Sequence, residues 1–329
     1  MAATSDTSEA PQRNFHEEID AYISKMQALA AIANLQSSTQ RLHPLFATLE
    51  TLSRLRKAWI TPQGLRVEKL GPNPQVVVRQ LLHVLNALSV YGYDRMYWRA
   101  DGYFEELEQN EVNRKFIRSR LPQPEHYEAT ISELAYWGWL KARGLSPCLM
   151  EEEGKPDLLV GHDQTGDPVF CDVKAILPDT HPKRVEKVIK KANEQIKNVA
   201  GETTKGFCLI RIVSPVVRLP VISDTGQGNL WLKPEQGNRN PSGVPYEIAE
   251  FYDRAAKLLS SQNCRSVAKV VLTWEEQLVI GNIPGWVTIH GVRNSCQVDH
   301  ANARQNITLD VDLLPKATIA SNINLVPRL

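Results

Sequence analysis

Asp157 opens the apolar run Asp-Leu-Leu-Val at 157–160, and further along Asp172 and Lys174 stand two apart in Cys-Asp-Val-Lys at 171–174. Paired carboxylates can hold Mg2+, which favours hard oxygen ligands and takes few of them from protein. A lysine beside them can orient or deprotonate a water, or balance charge on a phosphate. That combination is the chemistry of phosphodiester hydrolysis. Side chains alternate along an extended strand, so Asp172 and Lys174 share one face. The turn sequence Gly-His-Asp-Gln-Thr-Gly-Asp-Pro at 161–168 predicts a β-hairpin that brings Asp157 to the same side.

Those residues need elements to hold them. Upstream, ATISELAYWGWLKARGL at 129–145 reads as a helix that carries Glu133 and ends at Gly144, a residue suited to a C-terminal cap. Downstream, PKRVEKVIKKANEQIKNVA at 182–200 has Pro182 at a favourable first position and apolar residues at Val185, Val188, Ile189, Ala192 and Ile196. Its other face is basic. Lys183, Arg184, Lys187, Lys190, Lys191 and Lys197 stand against Glu186 and Glu194 alone, which fits either a phosphate-contacting surface or a solvated face. GFCLIRIVSPVV at 206–217 then reads as a further strand. Strands alternating with helices define an α/β core with a mixed central sheet.

In this order the residues resemble the PD-(D/E)XK nuclease superfamily: Glu133 on a helix, Pro156-Asp157, then Asp172-Val173-Lys174. The resemblance spans about residues 125 to 215. It implies a restriction-endonuclease-like αβββαβ core and a Mg2+-dependent (or Mn2+-dependent) nuclease. Asp157, Asp172 and the Val173 carbonyl would hold the metal, with Glu133 as a further ligand or water-mediated partner. Lys174 would position the attacking water, and Gln195, on the following helix, would help to orient the site. Lys183, Arg184, Lys187, Lys190 and Lys191 would meet the backbone of a nucleic acid, DNA before RNA. The alternative is a catalytically inactive nuclease-like module that binds nucleic acid or serves a larger assembly. Two decoys sharpen the match. Pro178-Asp179 has no acid-x-Lys after it, and Glu153-Gly154-Lys155 precedes its Pro-Asp and carries a turn-forming glycine. Whether the setting is restriction, phage defence, repair or transposition stays open.

Composition bounds the rest. With 38 basic against 37 acidic residues, any polyanion must be met by a local patch. No apolar run reaches a membrane span and the first residues form no signal core, so a cytoplasmic protein without membrane contact is expected. The five cysteines are widely spaced, as reduced thiols are. Residues 1–13 are expected to be disordered and 14–120 helical, serving recognition, homodimerisation or partner contact. Residues 121–315 are expected to form the nuclease-like domain, with 214–245 as a long loop and 316–329 as a C-terminal tail. His290, Cys296 and His300 have the types of zinc ligands but irregular spacing. Neither a P-loop nor Gly-x-Ser-x-Gly is present, and Trp137 and Trp139 read as core residues before base-stacking ones.

Overall fold

Helix α1 (Phe15–Ile32) buries Ile19, Tyr22, Met26, Leu29 and Ala30, the one-sided spacing that a helix needs to lie against a core. Helix α2 (Pro44–Trp59) begins with proline at its first position, and His43 Nδ1 accepts from the Leu45 amide at 3.2 Å. The chain then turns through a short hairpin, β1 (Ile60–Thr61) and β2 (Gly64–Val67). Helix α3 (Tyr103–Gln109) leads into α4 (Glu111–Arg120), whose Asn110 cap accepts from the Val112 and Asn113 amides at 2.9 and 3.2 Å. The structure, a computed structural model, describes residues 15–36, 42–67, 79, 103–177, 180–199, 205–213 and, with short breaks, 216–327. The helical patterns expected within 76–93 and the disorder expected over 1–13 lie outside these residues.

The chain is an α/β protein with a mixed central sheet and flanking helices. After α5 (Tyr127–Ala142) come β3 (Cys148–Leu149), β4 (Leu158–His162), β5 (Pro168–Ile176), α6 (Arg184–Val199) and β6 (Lys205–Ile212). β4 and β5 form the expected antiparallel hairpin, and the crossover through α6 makes β5 and β6 parallel. Helix α7 (Tyr246–Leu259) precedes the long pair β10 (Val267–Ile283) and β11 (Trp286–Asp299). The strand order is β1-β2-β12-β11-β10-β6-β5-β4-β3, with β12 at Ala317–Pro327.

Alternation along the central strands sends successive side chains to opposite faces. Cys171, Val173 and Leu209 face α5 and the N-terminal helices, whereas Ile176, Cys208 and Ile210 face α6 and α7. A turn lock fixes the hairpin register. Asp163 Oδ1 accepts from the Thr165 and Asp167 amides at 2.9 and 3.1 Å, and Lys205 pairs with both Asp163 and Asp167. Gly206 lets α6 approach closely, because a Cβ there would lie 2.6 Å from Ile196 Cγ2.

Two expectations are corrected. Residues 214–245 are not one long loop: β7 (Val216–Val217), β8 (Pro220–Asp224) and β9 (Leu230–Pro234) lie within it, and β8 and β9 pair with each other. Their glycine-rich and asparagine-rich flanks masked two short strands, which pair with each other and, through β9, with β10. Ala317–Pro327 does not trail as a tail, because the free edge of β11 takes it as β12. The run ITLDVDLL at 307–314 forms no strand among its described residues. Among the described residues before 121, helices α1 to α4 are joined by a β-element, since β2 adds in parallel to β12.

The apolar side chains of α1, α2 and α4 join those of α5, β4 and β5 in one buried cluster that crosses residue 120. His43 Nε2 also contacts the Leu121 carbonyl oxygen at 2.8 Å, and Arg118 donates to the Ile32 carbonyl at 3.1 Å. Uncovering even three or four leucine-sized side chains costs roughly 5 to 10 kcal/mol, comparable to a whole domain's stability. A fragment of residues 121–329 is therefore expected to lose its cooperative urea transition when followed by circular dichroism. A transition as sharp as that of the full chain would contradict this.

Candidate active site

The register that pairs Leu158 with Cys171 sets Asp157 beside Asp172 across two antiparallel strands. Opposed residues share a face, so both carboxyls converge. Lys174 joins them, with Nζ 2.7 Å from Asp172 Oδ1 and 3.1 Å from Asp157 Oδ2. The Val173 amide also donates to Asp157 Oδ2, at 2.8 Å. Glu133 enters from α5, a helix buried along nearly its whole length. Facing it is Arg120, the last residue of α4, whose Nη1 lies 2.8 Å from Glu133 Oε2 and 3.1 Å from Asp157 Oδ1. Three carboxyls and two cations thus meet at the end of one hairpin.

Their protonation follows from unequal partners. Burial alone would raise Asp157, but Lys174 and Arg120 outweigh it and, with the Val173 amide, hold its carboxyl below the usual range. Asp172 has only Lys174, and its Oδ2 is buried without a hydrogen-bond donor. Burial first, then the charge of Asp157, pushes its carboxyl well above the usual range. The pair is thus biased toward charge on Asp157 and a proton on Asp172, the direction expected of two carboxyls sharing a site. Burial and Asp157 likewise push Glu133 well up, against Arg120. Burial opposes the charges of Arg120 and Lys174, yet the neighbouring acids outweigh it in both. Lys174 stays an ammonium, a donor and not a base.

The other residues singled out by the sequence surround this cluster. Gln195 donates to the Lys155 carbonyl at 2.7 Å, tying α6 to the segment that leads into Asp157, and its Oε1 is buried without a partner. Lys183, Arg184, Lys187, Lys190 and Lys191 are exposed along α6. Val173 brings its amide to the site, and its side chain is buried in the core. Trp137 and Trp139 are buried: the Trp137 indole donates to the Pro147 carbonyl at 3.0 Å, and Trp139 stacks on Tyr136 at 5.7 Å. Sequence reasoning missed Arg120. Its helix, Glu-Val-Asn-Arg-Lys-Phe-Ile-Arg-Ser-Arg, reads as a solvated surface element, and only the basic pair in its last turn marks that end as special.

Comparison with protein-family models, curated proteins and solved structures finds no match.

Whether the residues suit a divalent cation is tested by their oxygens. The donor set is all oxygen, and Asp172 Oδ2 and both Glu133 oxygens are buried without a hydrogen bond of good geometry. That suits a hard cation. Among the described residues no three His, Cys, Asp or Glu side chains are placed to hold a metal ion together, and the carboxyls that converge on Lys174 are those of Asp157 and Asp172. Mg2+ sites commonly use one or two carboxylates, with water completing the shell.

The raised Asp172 carboxyl gives a signed pH prediction. A raised acid contributes stability that is present below the unfolded carboxylate pKa and lost as pH rises through its own folded value. Asp172→Asn keeps the shape and removes that loss. In EDTA, the variant is expected to match the wild type at pH 4 and to exceed it at pH 9 by at least about 1 kcal/mol, the worth of roughly one pKa unit. Urea unfolding at both pH values measures it. A variant that falls below the wild type as pH rises would make the Asp172–Lys174 pair a simple stabilising salt bridge.

Proposed function

We propose that this protein is a metal-dependent nuclease of the PD-(D/E)XK type, with the restriction-endonuclease-like core, that hydrolyses phosphodiester bonds of nucleic acid, DNA before RNA. The observation that carries the reading is the convergence of Asp157 and Asp172 on Lys174, with Asp172 Oδ2 left buried and unpaired. The helix, three strands, helix and strand spanning α5 to β6 support it, as does the exposed basic face of α6 beside the hairpin.

Asp157 and Asp172 would hold Mg2+ or Mn2+, which supplies Lewis-acid polarisation of the scissile phosphate and a lower pKa for the attacking water. The residues of the chain do the rest. Lys174, held protonated by the acids, orients the water and stabilises the charge that grows on the phosphoryl oxygens. The water oxygen bonds to phosphorus, one P–O ester bond breaks, and the departing alkoxide gains a proton as the water loses one to solvent. Glu133, 2.8 Å from Arg120, helps to hold that guanidinium beside Asp157. Gln195 fixes the approach to Asp157. The exposed α6 cations would lie along the substrate backbone. The N-terminal helices would serve recognition or assembly. No helix among the described residues is long and apolar enough to cross a membrane.

A second reading is favoured by one observation: both cations already neutralise the acids, as in a binding or structural module without activity. Calorimetric titration with Mg2+ and Mn2+, alongside cleavage of single-stranded, duplex and branched DNA and of RNA, decides between them. The nuclease reading predicts binding and cleavage by the wild type. Lys174→Ala should keep or raise metal affinity, because it frees two carboxylates, while slowing cleavage by about 100- to 1,000-fold. A wild type that binds neither ion and cuts no substrate would establish the inactive module.

A further inference from the structure

Arg120 commits only part of its guanidinium to the acids that it meets. Arg56 grips Asp20 through both Nε and Nη2, at 2.7 and 3.1 Å, whereas Arg239 meets both oxygens of Glu276 through Nη2 alone, at 2.8 and 3.0 Å. Arg120 sends a single nitrogen, Nη1, between two carboxyls, and its Nε and Nη2 bond to no described residue. The side chain is 25% exposed, against 17% for Lys174, 5% for Asp157 and none for Glu133 and Asp172. The ring of Phe116 lies 5.0 Å from the guanidinium carbon and limits its swing. The cluster therefore holds one cation that is anchored at one nitrogen, flanked by a ring and a quarter exposed, with Nε and Nη2 bonded to no described residue.

We propose that Arg120 is a substrate-binding residue of the site, its free Nε–Nη2 edge clasping the non-bridging oxygens of a phosphodiester. This rests on the nuclease reading and deepens it. A guanidinium presents two parallel N–H donors that match a phosphate, which an ammonium cannot reproduce. Lys174 cannot take this part, because its ammonium is shared between Asp157 and Asp172. The fixed Nη1 sets the fork relative to Asp157, so the phosphate bound by Arg120 is the one presented to the carboxylate pair.

The test uses the full chain, Mn2+ and a 20-base-pair duplex DNA, with Ca2+ in place of Mn2+ for binding. Arg120→Lys keeps the charge and loses the fork; it is expected to bind Mn2+ as the wild type does and to cleave at least about 100-fold more slowly in single turnover. Arg120→Gln is expected to lower the log-log salt slope of duplex binding by about 0.9, one phosphate contact, without weakening Mn2+ binding. A merely structural counter-ion would leave that slope unchanged. Wild-type cleavage by Arg120→Lys, or an unchanged slope in Arg120→Gln, overturns the assignment while leaving the nuclease intact. A wild type that is itself inert toward Mn2+ and DNA overturns the nuclease reading, and this role with it.

Discussion

Three carboxyl groups buried at one end of a hairpin cannot all be charged without opposing cations, and the arrangement around them follows from that constraint. An ionised carboxylate taken from water into a protein interior costs several kcal/mol unless it is paired and hydrogen-bonded. Asp157 meets the requirement with Arg120, Lys174 and the Val173 amide. Asp172 and Glu133 do not, and they lean toward their protonated forms. The cluster is thus half satisfied. Its orphaned oxygens are costly for stability alone, and their cost makes sense where a cation is to be bound.

The rest of the structure keeps those groups in place. The Asp163 turn lock fixes the hairpin register, and a slip of one residue would send Asp172 and Lys174 to the opposite face. Gly206 lets α6 lie close enough for Gln195 to hold the Lys155 carbonyl. The N-terminal helices share a core with α5 and deliver Arg120 from the end of α4. The N-terminal helices and the hairpin are in this way physically joined, because α4 supplies one of the two cations of the cluster.

Local patterns made the centre legible in the sequence. Alternation placed Asp172 and Lys174 on one face, turn chemistry predicted the β4–β5 hairpin, and three- and four-residue spacing predicted α5 and α6. What stayed hidden depends on contacts far apart in the chain. Arg120 reaches Asp157 from an ordinary-looking amphipathic helix. β12 mixes apolar and polar residues and is unremarkable until the edge of β11 requires a partner, and β2 gains its neighbour only once β12 is in place. β8 and β9 are short, and their order comes from β10.

The central claim is that Asp157 and Asp172 form a divalent-cation site and not a closed salt-bridge network. Crystals of the full chain grown with Mn2+, measured for anomalous scattering near the manganese edge, test it most directly. The account predicts a peak within roughly 2.1 to 2.3 Å of an oxygen from each aspartate, with the Lys174 ammonium displaced from between them. An empty map, with Lys174 still bridging both carboxylates at high Mn2+, would contradict it.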